Sequence, residues 1–136
     1  PKPVYEPGKL VFAVLPAESQ TFPIAARAAT ERLRRARVKG LDEPQMSKVS
    51  LDIVQLQIEC VEANASCYEA VGKELAANQM LFAEIVSGPR KDSIRVTVTL
   101  FDVDLKKRRK AASKVFASEE DVVWGVADVI AEATKL

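Results

Sequence analysis

Ser66-Cys67-Tyr68-Glu69-Ala70-Val71, then Met80-Leu81-Phe82-Ala83-Glu84-Ile85-Val86, then Ile94-Arg95-Val96-Thr97-Val98-Thr99-Leu100 are the stretch, Ser66 to Val103, whose reading decides the fold. The first piece opens a helix. Ser66 with Glu69 has the form of a capping box, and Ala70, Val71, Leu75 and Ala76 lie at helical spacing behind it. Ala77-Asn78 is the expected end, because Asn tolerates the left-handed cap conformation. Met80 to Val86 is apolar on both faces except at Glu84, as in a central strand covered on both sides. Ser87 to Ser93 is a polar connection punctuated by Gly88-Pro89. Ile94, Val96, Val98 and Leu100 then point one way and Arg95, Thr97 and Thr99 the other, which predicts a strand with one buried and one wetter face.

The rest of the chain has to cover what this unit leaves open. Pro1 to Gly8, rich in proline, reads as an extended lead-in or linker, and 9–136 as a single domain. Lys9 to Leu15, stopped by Pro16, reads as a central strand. A helix is predicted over Ile24 to Ala36, with Pro23 suited to its first turn. Ile24, Ala28 and Leu33 are expected to face the sheet, and Arg27, Glu31, Arg34 and Arg35 to face solvent. Arg37 to Pro44 has room for a short edge strand. Ser50 to Glu59 supports two readings. Strict alternation from Val54 to Glu59 argues strand; Ser50 as N-cap with Leu51, Val54 and Ile58 on one face argues helix. Helix is favoured, because it makes a helical hairpin with the Ser66 helix.

Beyond the Ile94 strand, the basic run Lys106-Lys107-Arg108-Arg109-Lys110 reads as the turn of a β-hairpin whose second strand is Ala111 to Ala117. Ser118-Glu119-Glu120-Asp121 is a strong helix start, an N-cap followed by acids at the positive end of the dipole. Val122, Val126, Val129, Ile130 and Ala133 form the apolar stripe of that helix. Trp124 lies off the stripe, either as a packing residue or as an anchor for a partner. The expected class is therefore α/β of the α+β kind: a mixed sheet of four to five strands with helices packed on it.

Composition narrows the function. At 136 residues, 48% hydrophobic and 29% charged, the chain is an ordinary globular domain with room for a core. A net charge of +1 counts against nucleic-acid binding by the surface as a whole. No apolar run reaches the roughly 20 residues that span a bilayer. The first residue is Pro1 rather than Met, so the reading expects a fragment or a processed chain, with any membrane association supplied by an anchor upstream. There is no histidine, which removes the commonest general base and the usual metal ligand. No cofactor and no metal are expected.

Cys60 and Cys67 are the only cysteines. With one helix ending near Cys60 and the next starting near Ser66, their Cβ atoms come within disulfide reach, and a bridge closing so small a loop contributes about 2–3 kcal/mol. The competing reading is two reduced, buried thiols of a cytosolic protein. A metal site lacks further soft ligands, and a redox pair usually has tighter Cys-x-x-Cys spacing. A structural bridge is favoured, and with it an oxidising compartment. Lys106–Lys110 resembles an anion-binding patch, but without interleaved aromatics or a second basic cluster the favoured reading is a solvated hairpin tip that protects a sheet edge. Glu84 is the best candidate for a carboxyl of raised pKa; the plainer account pairs it with a lysine. Neither Ser nor Cys has a base partner in the sequence.

Val11-Phe12-Ala13-Val14-Leu15-Pro16, the passage Val71 to Ile85 and the passage Val96 to Val103, in the order strand, helix, helical hairpin, three strands, helix, resemble the small α/β domain of TolB-like N-terminal regions and the CsgG-like and FlgO-like envelope modules. Asn78 departs from the pattern, where such proteins often have Gly-Ala-Asp. The resemblance implies a noncatalytic interaction or scaffolding domain of a bacterial cell-envelope complex, periplasmic or outer-membrane associated, whose partner is another envelope protein. The paired cysteines are similar to those of such modules in myxobacteria-like organisms. The candidate partner surface is Lys106, Lys107, Arg108, Arg109 and Lys110 with Trp124. The alternatives are a small enzyme or ligand-binding sensor domain, or a nucleic-acid binder acting through the basic hairpin.

Overall fold

The computed structural model describes residues 10–135, so the lead-in at 1–8 lies outside the described residues. In chain order the elements are β1 (Phe12–Val14), α1 (Pro23–Leu33), β2 (Gln45–Met46), α2 (Leu51–Gln57), α3 (Ala65–Glu74), β3 (Gln79–Ser87), β4 (Ile94–Asp102), β5 (Lys107–Phe116) and α4 (Glu119–Thr134). The five strands make one sheet in the order β2-β1-β3-β4-β5. β1 runs parallel to β2 and β3, while β3, β4 and β5 are antiparallel neighbours. This is a mixed sheet with helices on both faces, as the hydrophobic patterning predicts.

The alternation of β4 sorts the core into two layers. Val96, Val98 and Leu100 join Phe12, Val14 and Leu81 under α1 and α4, whose Ala25, Ala29, Leu33, Val122, Val126 and Ile130 complete that cluster. Phe101 faces the other way, with Met80, Phe82, Tyr68, Val71 and Val54, beneath α2 and α3. Gly125 is what lets α4 settle on β5: a Cβ there would stand 2.6 Å from the Phe116 ring. The α2–α3 pair is short and covers only part of its face. Further along the same face Arg95 and Ser113 are exposed, Val86 is 53% exposed, and Thr97 and Ser113 share a hydrogen bond of 3.0 Å. β3 is thus covered on both sides only along its first half.

Local signals fared unevenly. Ser50 does cap α2, accepting from the Ile53 N–H, so the helical reading of Ser50–Glu59 holds. The cap of α3 is Asn64, not Ser66: its side-chain oxygen accepts the Cys67 N–H at 2.9 Å, and Ser66 lies inside the helix. Asn64, with its extended backbone, starts the helix two residues before Ser66 would. α3 also ends earlier than Ala77-Asn78, through Ala76 at φ 53°. Asn78 is buried and works as a clamp, accepting from the Val11 N–H at 2.8 Å and donating to Asp104 at 3.0 Å. Ile24, expected to face the sheet, is 52% exposed; α1 presents Ala25, Ala26 and Ala29 together with the expected Leu33. Small side chains allow the closer approach, and the rotation follows from that. The edge strand β2 falls just after Pro44 rather than before it, which spares the ladder a residue without an N–H.

Candidate docking surface

β5 is a terminal strand of ten residues, paired only with β4, and five of those residues, Lys107, Arg108, Arg109, Lys110 and Lys114, are basic. No acidic residue interrupts them. The turn that leads into it is Val103 to Lys106. It is closed by Leu105 N–H donating to Asp102 at 2.8 Å and by Lys106 at φ 56°. The basic run is therefore not the hairpin tip that its composition suggests. It begins at the tip and continues down the free edge of the sheet. A long edge exposes a row of unpaired N–H and C=O groups, and basic side chains along it discourage indiscriminate strand pairing.

A bulge organises the run. Leu100 pairs with Lys110 and Phe101 with Arg108, which leaves Arg109 as the extra residue. Most members are then held by particular contacts. Lys106 faces Glu69 at 3.7 Å. The Arg108 guanidinium lies 5.5 Å from the centre of the Tyr68 ring. Arg109 donates to the Gln79 side chain at 3.2 Å, and Lys110 to the Lys135 carbonyl at 2.7 Å. Lys107 is exposed and is the member with no such contact among the described residues.

Beneath Arg108 sits a small polar network that the sequence did not reveal. Tyr68 packs on Phe82 and Phe101 with ring centres 4.9 and 5.6 Å away. Its hydroxyl donates to Glu84 Oε1 at 2.8 Å. Burial pushes the Glu84 carboxyl above its ordinary value and the charge of Asp52 adds to that, while the Tyr68 hydrogen bond and Arg108 pull it back. Tyr68 is pushed up to about 12, first by burial and then by Glu84, against the pull of Arg108. Asp52 is raised by burial and by Glu18. The expected lysine partner of Glu84 is a tyrosine. A lone carboxylate in an apolar strand does call for a donor, but only the register of β5 and the placement of α3 say which one.

Trp124 is 80% exposed on the outer face of α4, among the exposed Glu120, Asp121, Asp128 and Glu132. Among the described residues no cation–π contact joins it to the basic run, so the fold keeps these two candidate features on separate elements. Cys60 and Cys67 are joined in a disulfide with Cα atoms 5.7 Å apart. The buried Gln55 braces the bridge, donating to Cys67 Sγ at 3.4 Å and to the Glu62 carbonyl at 3.2 Å. Among the described residues no group of three or more His, Cys, Asp or Glu side chains is placed to hold a metal, and no helix is long and apolar enough to cross a membrane.

The class these features define is an α+β domain stapled by one disulfide, with a free basic sheet edge and an acidic outer helix. No family model matches the chain and no curated protein matches it, so the TolB-, CsgG- and FlgO-like resemblance finds no family match. Among solved structures, the LpoB C-terminal domain from Salmonella enterica is similar at 12% identity, over 81% of this chain and 86% of that one, with a TM-score of 0.48. The LpoB C-terminal domain from Escherichia coli is similar at 15% identity, over 79% and 82%, with a TM-score of 0.43. A PelC dodecamer from Paraburkholderia phytofirmans is similar at 14% identity, over 94% and 90%, with a TM-score of 0.48. At such low identity and TM-score, the functional reading rests on this chain's own residues.

Proposed function

We propose that this chain is a noncatalytic docking domain of a bacterial cell-envelope complex, working outside the cytoplasm, and that it receives an acidic protein surface on strand β5. The carrying observation is the free edge of β5, a strand paired on one side only, in which five residues of ten are basic. Such an edge offers both main-chain hydrogen bonds and a charge complement to an incoming segment. The Cys60–Cys67 bridge supports the oxidising compartment, since structural disulfides persist in the periplasm and are rare in the cytosol. The reading of the domain as a scaffold is supported by how Glu84 is used: its carboxylate accepts from Tyr68 in the packed layer under α3.

The test compares wild type with Lys107→Glu/Lys114→Glu in capture from an envelope extract, at low and at moderate salt. Exposed charges at a docking edge set association rate and salt dependence, so the variant should associate more slowly, with the difference shrinking as salt rises. Equal capture at equal rates would place the docking surface elsewhere. Turnover of a substrate by the wild type would overturn the noncatalytic reading.

A further inference from the structure

We infer that the acidic surface received by β5 is the outer face of α4 on a second copy of this chain, so that copies associate head to tail. The inference rests on β5 being the docking edge and names its partner. α4 carries five acids, Glu119, Glu120, Asp121, Asp128 and Glu132, and no base; β5 carries five bases and no acid. Within one copy these charges do not satisfy each other. Glu119 is turned to the Ala25 N–H on α1, and among the described residues no ion pair links α4 to β5. The other four acids stay exposed around Trp124.

The arrangement on α4 is that of a hot spot: a large aromatic at the centre of a patch whose polar rim excludes water once a partner covers it. Trp124 stands opposite the buried stripe of Val122, Val126, Val129, Ile130 and Ala133, so packing within the domain does not account for it. The complement it calls for is a flat cationic surface with exposed aliphatic stems. The β5 edge supplies exposed lysine stems: Lys107 and Lys114, opposite Asp102 and Val96, lie on one side of the strand, and the small side chains of Ala111 and Ser113 leave the other side low. Lysine over tryptophan adds a cation–π attraction to the charge complement. The two patches belong to different elements, so the contact is heterologous, and repeated copies close into a ring or extend as a filament.

Sedimentation velocity on the disulfide-intact chain tests this across protein concentration at two salt levels. The wild type should gain mass with concentration at low salt and lose it as salt rises. Trp124→Ala should weaken association roughly thirty-fold, as loss of a hot-spot anchor does. Lys107→Glu/Lys114→Glu should do the same, with Lys107→Glu alone used if the double variant fails to fold. The decisive arm mixes the two variants. Each keeps one intact face, so together they should form a species of two chains and none larger. A wild type that is monomeric throughout, or a mixture that forms no two-chain species, overturns the inference. If the chain is monomeric yet the β5 variant still loses salt-sensitive capture of an envelope protein, the inference falls and the docking reading stands. If the chains associate but both proteins capture the same envelope partners at the same rate, the docking reading falls and the self-association stands.

Discussion

Glu119 on α4 accepts a hydrogen bond from the backbone N–H of Ala25 on α1, Oε2 to N 2.9 Å, across 94 positions of sequence. The contact supplies what α1 lacks. Its N-cap, Phe22, offers no side-chain acceptor, and no acid sits in its first turn. Glu119 therefore serves two helices, as a first-turn acid of α4 and as a remote cap for α1. Glu119→Ala should cost about 1 kcal/mol, the usual scale for losing a cap. Glu119→Gln, which keeps an acceptor, should recover much of that. Denaturant midpoints at constant slope would measure both; an Ala variant as stable as wild type would show that the contact contributes nothing.

The disulfide gives a second expectation. Protein made under oxidising conditions, unfolded without reductant, should show no titratable thiol, because Cys60 and Cys67 are paired. Replacing both with Ser should lower stability by about 2–3 kcal/mol, the loop-closure scale for a short loop. Gln55 then donates to a hydroxyl rather than to sulfur, so part of its bracing survives. Two free thiols in oxidised protein would remove the compartment argument together with the staple.

The Tyr68–Glu84 pair makes stability depend on pH with a definite sign. Glu84 is raised above its ordinary 4.5, so the folded chain holds that proton more tightly than the unfolded chain does. Its contribution is complete below about pH 4.5 and is lost as pH rises through the folded value. Asp52 is raised as well and acts in the same direction. Glu84→Gln keeps an acceptor for the Tyr68 hydroxyl and removes the charge. The variant should match wild type in acid and exceed it near neutrality, with a flatter profile between. A variant less stable than wild type at neutral pH would mean that attraction between Glu84 and Arg108 outweighs burial.

How much of this was legible in the sequence depended on the range of the interaction. The five buried residues of α4 and the four inward residues of β4 follow from periodicity, which is local and redundant. Element ends were less legible. The Ser66–Glu69 pair has the form of a capping box, yet Asn64 takes the Cys67 N–H, and two good capping residues so close together are separated only by backbone conformation. The site was least legible, because it is made of long-range register. Arg108 reaches Tyr68, and Arg109 is displaced toward Gln79, through a bulge that composition does not announce. A run of five positive charges reads as one solvated patch, and only the strand pairing separates its anchored members from Lys107.

That separation can be measured, and it decides how the docking edge should be tested. Arg108 is stacked over Tyr68 and opposes the rise of both the Tyr68 and the Glu84 pKa, whereas Lys107 is an exposed charge with no comparable contact. Lys107→Ser should leave stability within about 0.5 kcal/mol of wild type, as for surface changes away from packed features. Arg108→Ser should cost about 0.5–1 kcal/mol, the scale of a cation–π contact near the surface. The tyrosine titration gives a readout that general destabilisation does not mimic. With Arg108 gone, the group that lowers Tyr68 is lost, so its ionisation should move higher still. Lys107→Ser should leave it in place. Ultraviolet absorbance followed through alkaline pH, with Tyr68→Phe to assign the signal, would read the shift in folded protein. If neither variant moves it, the Arg108–Tyr68 contact is not maintained in solution, and Arg108 would then be as free as Lys107 to meet a partner.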